Sequence, residues 1–233
     1  MANFGALTDH FGLATSIGSL IDSTKTPVAQ SRADALDENG DVADAAWHGN
    51  TDGTLYEASC TYQLDGSVDA TVDLSSLKML GQLATGVVAL SVEVATSNGD
   101  WPRITISGIL GTAALEQSKT WDLPEITISA KKQAQAMGLV VTTGKLTSCT
   151  LSASCDLATA NDGEGEPVAH GVSGAIASAT GEAVAISNAA PVLAAAVGWT
   201  VSTGAGVNEP QAAWHTGSLT VEQKLAVTIT PPA

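Results

Sequence analysis

The chain of 233 residues is poor in charged side chains, and above all in basic ones. Only 14% of its residues are charged, and 9 Lys and Arg stand against 24 Asp and Glu, so the formal net charge is -15. Proteins bind DNA and RNA mainly through Lys and Arg that displace counterions from phosphates. The sequence therefore disfavours sequence-specific nucleic acid binding, and the same deficit argues against an anionic membrane surface as a partner.

The sequence also lacks the signals of export and of membrane insertion. The N-terminal segment carries Asp9 and His10 and has no basic residue ahead of its apolar ones, which is unlike a secretory signal. The longest apolar run, residues 189–199, contains Pro191 and is far shorter than the ~20 residues of a membrane-spanning helix. We expect an unexported protein that is made in a reducing cytoplasm.

Cysteine and histidine occur without the spacing that metal sites require. The three cysteines (Cys60, Cys149 and Cys155) are an odd number without a CxxC pair, and we expect buried free thiols. The four histidines (His10, His48, His170 and His215) form no HxH, HxxxH or HExxH pattern. A metal site built from His48, His170 and His215 requires three separate turns to converge, so we expect turn or interface histidines.

Motifs of catalysis and cofactor binding are absent as well. No GxSxG elbow, Walker loop or GxGxxG motif occurs. The acidic loop after Asp34 lacks the glycine and the bidentate glutamate of a calcium-binding loop, so we interpret it as a solvated turn. We therefore predict no enzymatic activity, and no catalytic, cofactor-binding or metal-binding residues.

Five tryptophans stand at predicted boundaries between elements. They are Trp47, Trp101, Trp121, Trp199 and Trp214. A tryptophan in such a place commonly closes the end of a β core, with its N–H reaching a backbone carbonyl. The alternative is a sugar-binding face, which gives the hypothesis of a carbohydrate-binding β-sandwich module.

Alternating hydrophobicity dominates what the sequence does contain. Residues 87–95 and 103–110 alternate on either side of a turn at 97–102, and we predict that they form the central hairpin. Residues 219–230 alternate too, with Gln223 and Ala226 breaking the pattern, and predict a strand with one dry face. We predict a mainly β fold, an antiparallel β-sandwich or barrel with one or two short helices and extended arms or loops.

Other segments predict helices, loops and domain limits. Residues 129–138 combine a Ser N-cap, good helix formers and a final Gly, which predicts a helix of about two turns. The Ala- and Gly-rich residues 171–198 read as a loop or arm, with a short helix near 191–196.

Residues 1–22 form a predicted N-terminal arm that docks on a neighbouring subunit or covers its own core, and residues 23–233 form the β domain. The tetrapeptide Ala-Ala-Trp-His occurs at 45–48 and again at 212–215, so a two-lobed organisation with a boundary near 125 is an alternative.

Several stretches resemble the major tail (tail tube) proteins of tailed bacteriophages. They are Asn-Gly-Asp-Val-Ala at 39–43, the run from Val92 through Ser-Asn-Gly-Asp-Trp-Pro-Arg to Gly108, and the Lys/Gln/Ala segment after Ile-Thr-Ile at 126–128. The alternating terminal strand adds to the resemblance. What it implies is a β-sandwich or barrel with a flanking helix, hexameric rings stacked into a tube, and arms or loops that join ring to ring. The family has no catalytic residues.

The resemblance and the composition together predict a virion structural protein. The expected role is a tail tube subunit that assembles with copies of itself, contacts other virion proteins, and forms an acidic lumen through which DNA passes without being bound. Strand faces covered by hydroxyls and methyls suit packing against another subunit. The expected location is the phage tail, and the main alternative is a capsid decoration or head-fibre protein.

Overall fold

Alternating apolar and hydroxyl-bearing side chains make most of the chain fold as β-strands. The computed structural model describes residues 7–29, 31–36, 42–48, 54–65, 71–77, 79–111, 114–115, 118–161, 167–185, 190–208 and 215–230. The strands in chain order are β1 Ser19–Pro27, β2 Ser31–Leu36, β3 Val42–His48, β4 Tyr56–Gln63, β5 Thr71–Asp73, β6 Leu80–Ala84, β7 Val87–Ser97, β8 Arg103–Leu110, β9 Ala114–Leu115, β10 Ser118–Trp121, β11 Thr127–Ser129, β12 Leu139–Thr143, β13 Lys145–Asn161, β14 Pro167–Ala185, β15 Val192–Ala195, β16 Thr200–Asn208, β17 His215–Lys224 and β18 Val227–Thr230. One short α-helix, α1 Ala14–Ile17, and one 3-10 turn, Leu74–Leu77, complete the described elements.

Eight strands form one continuous antiparallel path in the order β1-β4-β8-β7-β13-β14-β17-β16. The sheet forks at β7, because residues 91–97 of that strand pair with β13 whereas residues 87–89 pair with β6. From β6 the branch continues to β10 and then to β18. Three two-stranded sheets, β5–β11, β12–β15 and β2–β3, lie outside this path.

The predicted central hairpin is confirmed, since β7 and β8 pair in the middle of the path. Val92 and Val94 of β7 and Ile104 and Ile106 of β8 are buried on the inner face of the sheet. Gly99 turns the chain between the two strands with a φ of 97°, a conformation that glycine adopts without steric cost.

One hydrophobic cluster joins the inner face of the large sheet to the smaller elements that cover it. Cys149 and Leu151 of β13 and Leu219 and Val221 of β17 belong to that face. Members from the covering elements are Phe11, Ile17, Val72, Leu74, Leu80, Trp121, Ile128, Leu139 and Leu193. The arrangement is that of a β-sandwich, a large antiparallel sheet packed against small sheets and loops, so the predicted fold class is confirmed.

The helix predicted over residues 129–138 is wrong, because the chain there follows a series of bends. Tertiary hydrogen bonds take the polar groups that a helix would use. The Gln135 side chain accepts from Ser129 N and returns a bond to Ser129 O, and Gln135 N donates to Thr96 Oγ1. Ala134 N donates to Asn98 Oδ1, which ties the segment to the β7–β8 turn.

The loop predicted over residues 171–198 is also wrong. Most of this segment belongs to β14, the longest described strand, and residues 192–195 form β15 where a short helix was predicted. Alternate small side chains of β14 are buried, among them Ala177, Ala179 and Ala183. A β-bulge at Gly174, whose φ is 70°, interrupts the register with β13.

The predicted C-terminal strand is broken into two. β17 ends at Lys224, and β18 leaves the large sheet to pair with β10. The break falls at Leu225–Ala226 and so includes Ala226, one of the two residues that interrupt the alternation in the sequence. Leu219 and Val221 are buried as predicted, whereas Val227 is 48% exposed.

The described part of the N-terminal segment lies on its own sheet. Phe11 and Ile17 are buried in the common core, and β1 begins at Ser19. Asp9 accepts hydrogen bonds from Gly12 N and Ala14 N, which fixes the loop before α1. Phe11 and Ile17 of this segment therefore pack against the core of the same chain.

Candidate functional site

The eight-strand path of the large sheet ends in two edge strands, whereas its branch ends at β18. β1 pairs with β4 on one side, β16 pairs with β17 on one side, and no other described strand is hydrogen-bonded to either of them. Each contains nine residues. Because seven successive pairings are antiparallel, β1 and β16 run in opposite directions. Unpaired backbone groups at such edges are ready to pair with another chain.

The outer face of the sheet carries mostly serine and threonine. Its side chains are Asp22, Thr24 and Thr26 on β1; Glu57, Ser59, Thr61 and Gln63 on β4; Arg103, Thr105, Ser107 and Ile109 on β8; Ser91, Glu93, Ala95 and Ser97 on β7; Ser148, Thr150, Ser152 and Ser154 on β13; Ile176, Ser178, Thr180 and Glu182 on β14; and Ser218, Thr220, Glu222 and Lys224 on β17. Cross-strand hydroxyl pairs tie neighbouring strands together. The oxygens of Thr61 and Thr105 lie 3.1 Å apart, and those of Thr180 and Thr220 lie 3.0 Å apart.

The charges of this outer face are unbalanced. Five carboxylates stand there against two basic groups, which are Arg103 and Lys224. A trough of about 390 Å³ crosses the same face over β1, β4, β8 and β7. The outer face is therefore hydroxylated, partly concave and acidic, which makes it a poor surface for phosphate groups.

A separate cleft of about 650 Å³ opens at one end of the sandwich. It is formed by residues 122–126 after β10, by the turn at 197–199 before β16, and by residues 223–226 between β17 and β18. Its polar lining includes Asp122, Glu125 and Gln223, and its apolar lining includes Val197 and Trp199.

Trp199 is held in the cleft by a tight turn. Trp199 N donates to Ala196 O at 3.1 Å, and Gly198 between them has a φ of 85°, as the third residue of a type II turn requires. A Cβ on Gly138 would lie 2.6 to 2.7 Å from three atoms of the indole, so the backbone of Gly138 covers part of the ring. Val197, at the tip of the turn, is fully exposed.

Gln223 places a polar group on the inward side of β17, which is otherwise apolar. It shares the inward side of β17 with Leu219 and Val221, and its Oε1 is buried without a hydrogen-bond donor among the described residues. An acceptor in that situation costs about 1–3 kcal/mol. The side chains of Asp122 and Glu125 also make no hydrogen bond or ion pair with any described residue, so the acceptors of the cleft are uncommitted.

A buried Tyr–Asp pair joins the N-terminal segment to the sheet. The hydroxyl of Tyr62, which is fully buried on β4, donates to Asp9 Oδ1 at 2.6 Å. Burial tends to raise the pKa of Asp9, but the hydrogen bonds from Tyr62, Ala14, Gly12 and Phe11 outweigh it and hold that pKa below its ordinary value of 3.8. Burial first, and then the bond to Asp9, raise the pKa of Tyr62 well above its ordinary value. Neither residue lines the trough or the cleft described above.

The cysteines are buried free thiols, as predicted. Burial raises the pKa of Cys149 and of Cys155 to about 11, and it also raises the pKa of Cys60. Thiols of this kind stay protonated at neutral pH and are poor nucleophiles.

The histidines lie in separate parts of the chain. His10 lies in the N-terminal segment and His215 begins β17. His48 and His170 lie in β3 and β14, and their side chains are outside the described ones. No cluster of three potential metal ligands occurs among the side chains that the structure describes.

The described tryptophans divide between core and surface. Trp121 is buried in the core, Trp101 is half-buried with Lys132 Nζ 5.1 Å from its ring centroid, and Trp199 lines the cleft. The side chain of Trp47, all of Trp214 and the acidic turns at 37–41 and 162–166 lie outside the described residues. The sequence reasoning missed the cleft, although Gln223 on the apolar side of a strand was a signal for it.

No protein-family model matches the sequence, and no curated protein matches it significantly. None of the helices formed by the described residues is long and apolar enough to cross a membrane.

Proposed function

We propose that this chain is a structural protein of a bacteriophage virion, a tail tube subunit that assembles with copies of itself into stacked rings. One observation carries the proposal, which is that the eight-strand antiparallel path ends in two edge strands of equal length and opposite direction. If β16 of one copy pairs with β1 of the next, the antiparallel alternation continues across the contact. Such a head-to-tail contact generates a ring when the rotation between copies closes.

The outer face of the sheet supports the same proposal. Its serine and threonine rows and its excess of carboxylates suit the wall of a conduit, because DNA phosphates are repelled by an acidic surface. The outer half of the β13–β14 hairpin supplies a projecting element. Beyond the bulge at Gly174, β14 pairs only with β13 and briefly with β9 among the described strands, and such an arm suits contacts between rings.

The irregular register of β16 restricts which strand can pair with it. Its pairing with β17 shifts between Val201 and Thr203 and again between Thr203 and Gly206. Irregularities at an edge discourage uncontrolled pairing. We therefore expect assembly to need a matched neighbour, and to depend on concentration or on a virion partner.

Cross-linking between the two edges tests the proposal. Seven strand spacings separate β1 from β16, roughly 30 Å along the sheet, so a short linker joins them only between different copies. We expect Lys25→Cys/Val201→Cys treated with a short bis-maleimide to give a ladder of covalent oligomers, because both positions are exposed on opposite edges. The buried native thiols leave the background low.

The control variant is Lys25→Cys/Glu93→Cys, since Glu93 is exposed on β7 in the middle of the sheet. It is expected to give no ladder. Sedimentation and negative-stain images of the unmodified protein are the second measurement, and rings or tubes are expected. A chain that stays monomeric at high concentration and gives no ladder refutes the tube proposal. Binding of that monomer to a capsid lattice favours the decoration-protein alternative instead.

A further inference from the structure

We propose that the cleft beside Trp199 binds a neutral saccharide. The proposal rests on the cleft alone and does not depend on assembly into rings. Three features carry it, namely an aromatic ring held in place, a set of uncommitted hydrogen-bond acceptors, and a volume of about 650 Å³. That volume lies within the range of small-ligand pockets.

The ring of Trp199 is a preformed platform. The type II turn at 196–199 fixes its backbone, and Gly138 packs against the indole, so ligand binding has little side-chain motion to freeze. Trp199 is only half-buried, and Val197 beside it is fully exposed. Apolar surface of this kind at the rim of a polar cleft suits the C–H face of a sugar ring.

The acceptors that line the cleft fit a ligand that carries several hydrogen-bond donors. Asp122 and Glu125 offer carboxylate oxygens that bond to no described residue. Gln223 Oε1 has no donor among the described residues, but it is buried, so a ligand reaches it only when the Gln223 side chain turns toward the cleft. The Gln223 amide also offers N–H groups, so a ligand that both donates and accepts fits best. Hydroxyl groups do both.

Charge and size select among ligands that carry donors. Asp122 and Glu125 outnumber Lys224, the basic group among the lining residues, and together with the net charge of -15 they disfavour acidic saccharides and nucleic acid. A lone guanidinium or ammonium group suits the acceptors and the indole, but it has no acceptor for the Gln223 amide and fills only a small part of the cleft. A neutral oligosaccharide supplies an acceptor for the Gln223 amide and is large enough to fill the cleft.

The test uses neutral glucan, mannan and N-acetylglucosamine oligomers with the full-length chain, at a concentration where sedimentation shows monomers. We expect at least one oligomer to bind, measured by calorimetry and by a change in tryptophan fluorescence. Trp199→Ala is expected to weaken that binding about tenfold or more. Trp101→Ala is the matched control, because Trp101 is half-buried outside the cleft, and it should bind like the original chain.

Gln223→Leu separates binding from folding. Leucine removes the buried acceptor without a donor, so we expect the melting temperature to stay equal or to rise, while binding weakens about fivefold to tenfold. The proposal is overturned if no neutral oligomer binds at millimolar concentration, or if binding survives Trp199→Ala. Preferential binding of an acidic saccharide or of an arginine peptide overturns it as well.

Discussion

Removing the hydroxyl of Tyr62 is expected to lower the free energy of unfolding by about 1.5–3 kcal/mol, the range for a hydrogen bond to a charged group. Tyr62→Phe keeps the buried ring and deletes only the group that donates to Asp9 at 2.6 Å. Tyr62 is fully buried, so water cannot take the place of the hydroxyl. For a chain of this length the melting temperature should fall by roughly 3–12 °C.

The pH dependence of this loss follows from the lowered pKa of Asp9. A carboxyl whose folded pKa is below its unfolded value, about 3.9, adds stability that is fully present above the unfolded value and is lost as the pH falls through the folded one. Tyr62 is one of the donors that lower this pKa. The cost of Tyr62→Phe should therefore be constant between about pH 7 and pH 5 and shrink below about pH 4.

Urea unfolding followed by tryptophan fluorescence at several pH values measures the effect. Tyr56→Phe is the matched control, because the Tyr56 ring lies under Lys25 Nζ at 3.9 Å and phenylalanine keeps that contact. A double-mutant cycle with Asp9→Asn isolates the pairwise energy. A cost for Tyr62→Phe below about 0.5 kcal/mol, or a cost that does not change between pH 7 and pH 3.5, refutes the ionised pair.

Three further substitutions probe the packing of the sheet. Gly108→Ala should destabilise the protein by about 1–3 kcal/mol, because a methyl group there overlaps the carbonyl oxygen of Val88 on β7. Gly171→Ala, where nothing lies within 4 Å, should be neutral or slightly stabilising in the same thermal melts, and equal effects of both would contradict the register. Thr96→Val should cost about 1–3 kcal/mol by leaving Gln135 N without its 3.0 Å acceptor, and an unchanged urea midpoint would show that this bond is dispensable.

Hydrophobic alternation was enough to predict the centre of the fold. β7 and β8 carry large apolar residues on one side and polar ones on the other, and a one-residue slip of either strand would move its buried valines or isoleucines to the outer face. The Asn-Gly turn between them closes the hairpin. Local pattern and tertiary packing agree there, so the sequence was a reliable guide.

Where the local sequence pattern and the tertiary packing disagree, the prediction from the sequence was wrong. Residues 129–138 have the composition of a helix, but bonds to Thr96 and Asn98 on the β7–β8 hairpin hold them in bends. Small residues occupy most buried and most exposed positions of β14, so the hydrophobic alternation that predicts a strand was weak there. Gly181 is buried there because Leu139 of β12 packs where a side chain would stand.

The sequence by itself determined the fold class, the buried thiols and the acidity, because these depend on composition and on the spacing of neighbours along one strand. Only the tertiary structure decided which strands stand at the edges and that Trp199, Asp122 and Gln223 share a cleft. Both follow from contacts between segments far apart in the chain. The residues of a strand do not by themselves determine its neighbour in the sheet, because the backbone hydrogen bonds are the same with any neighbouring strand.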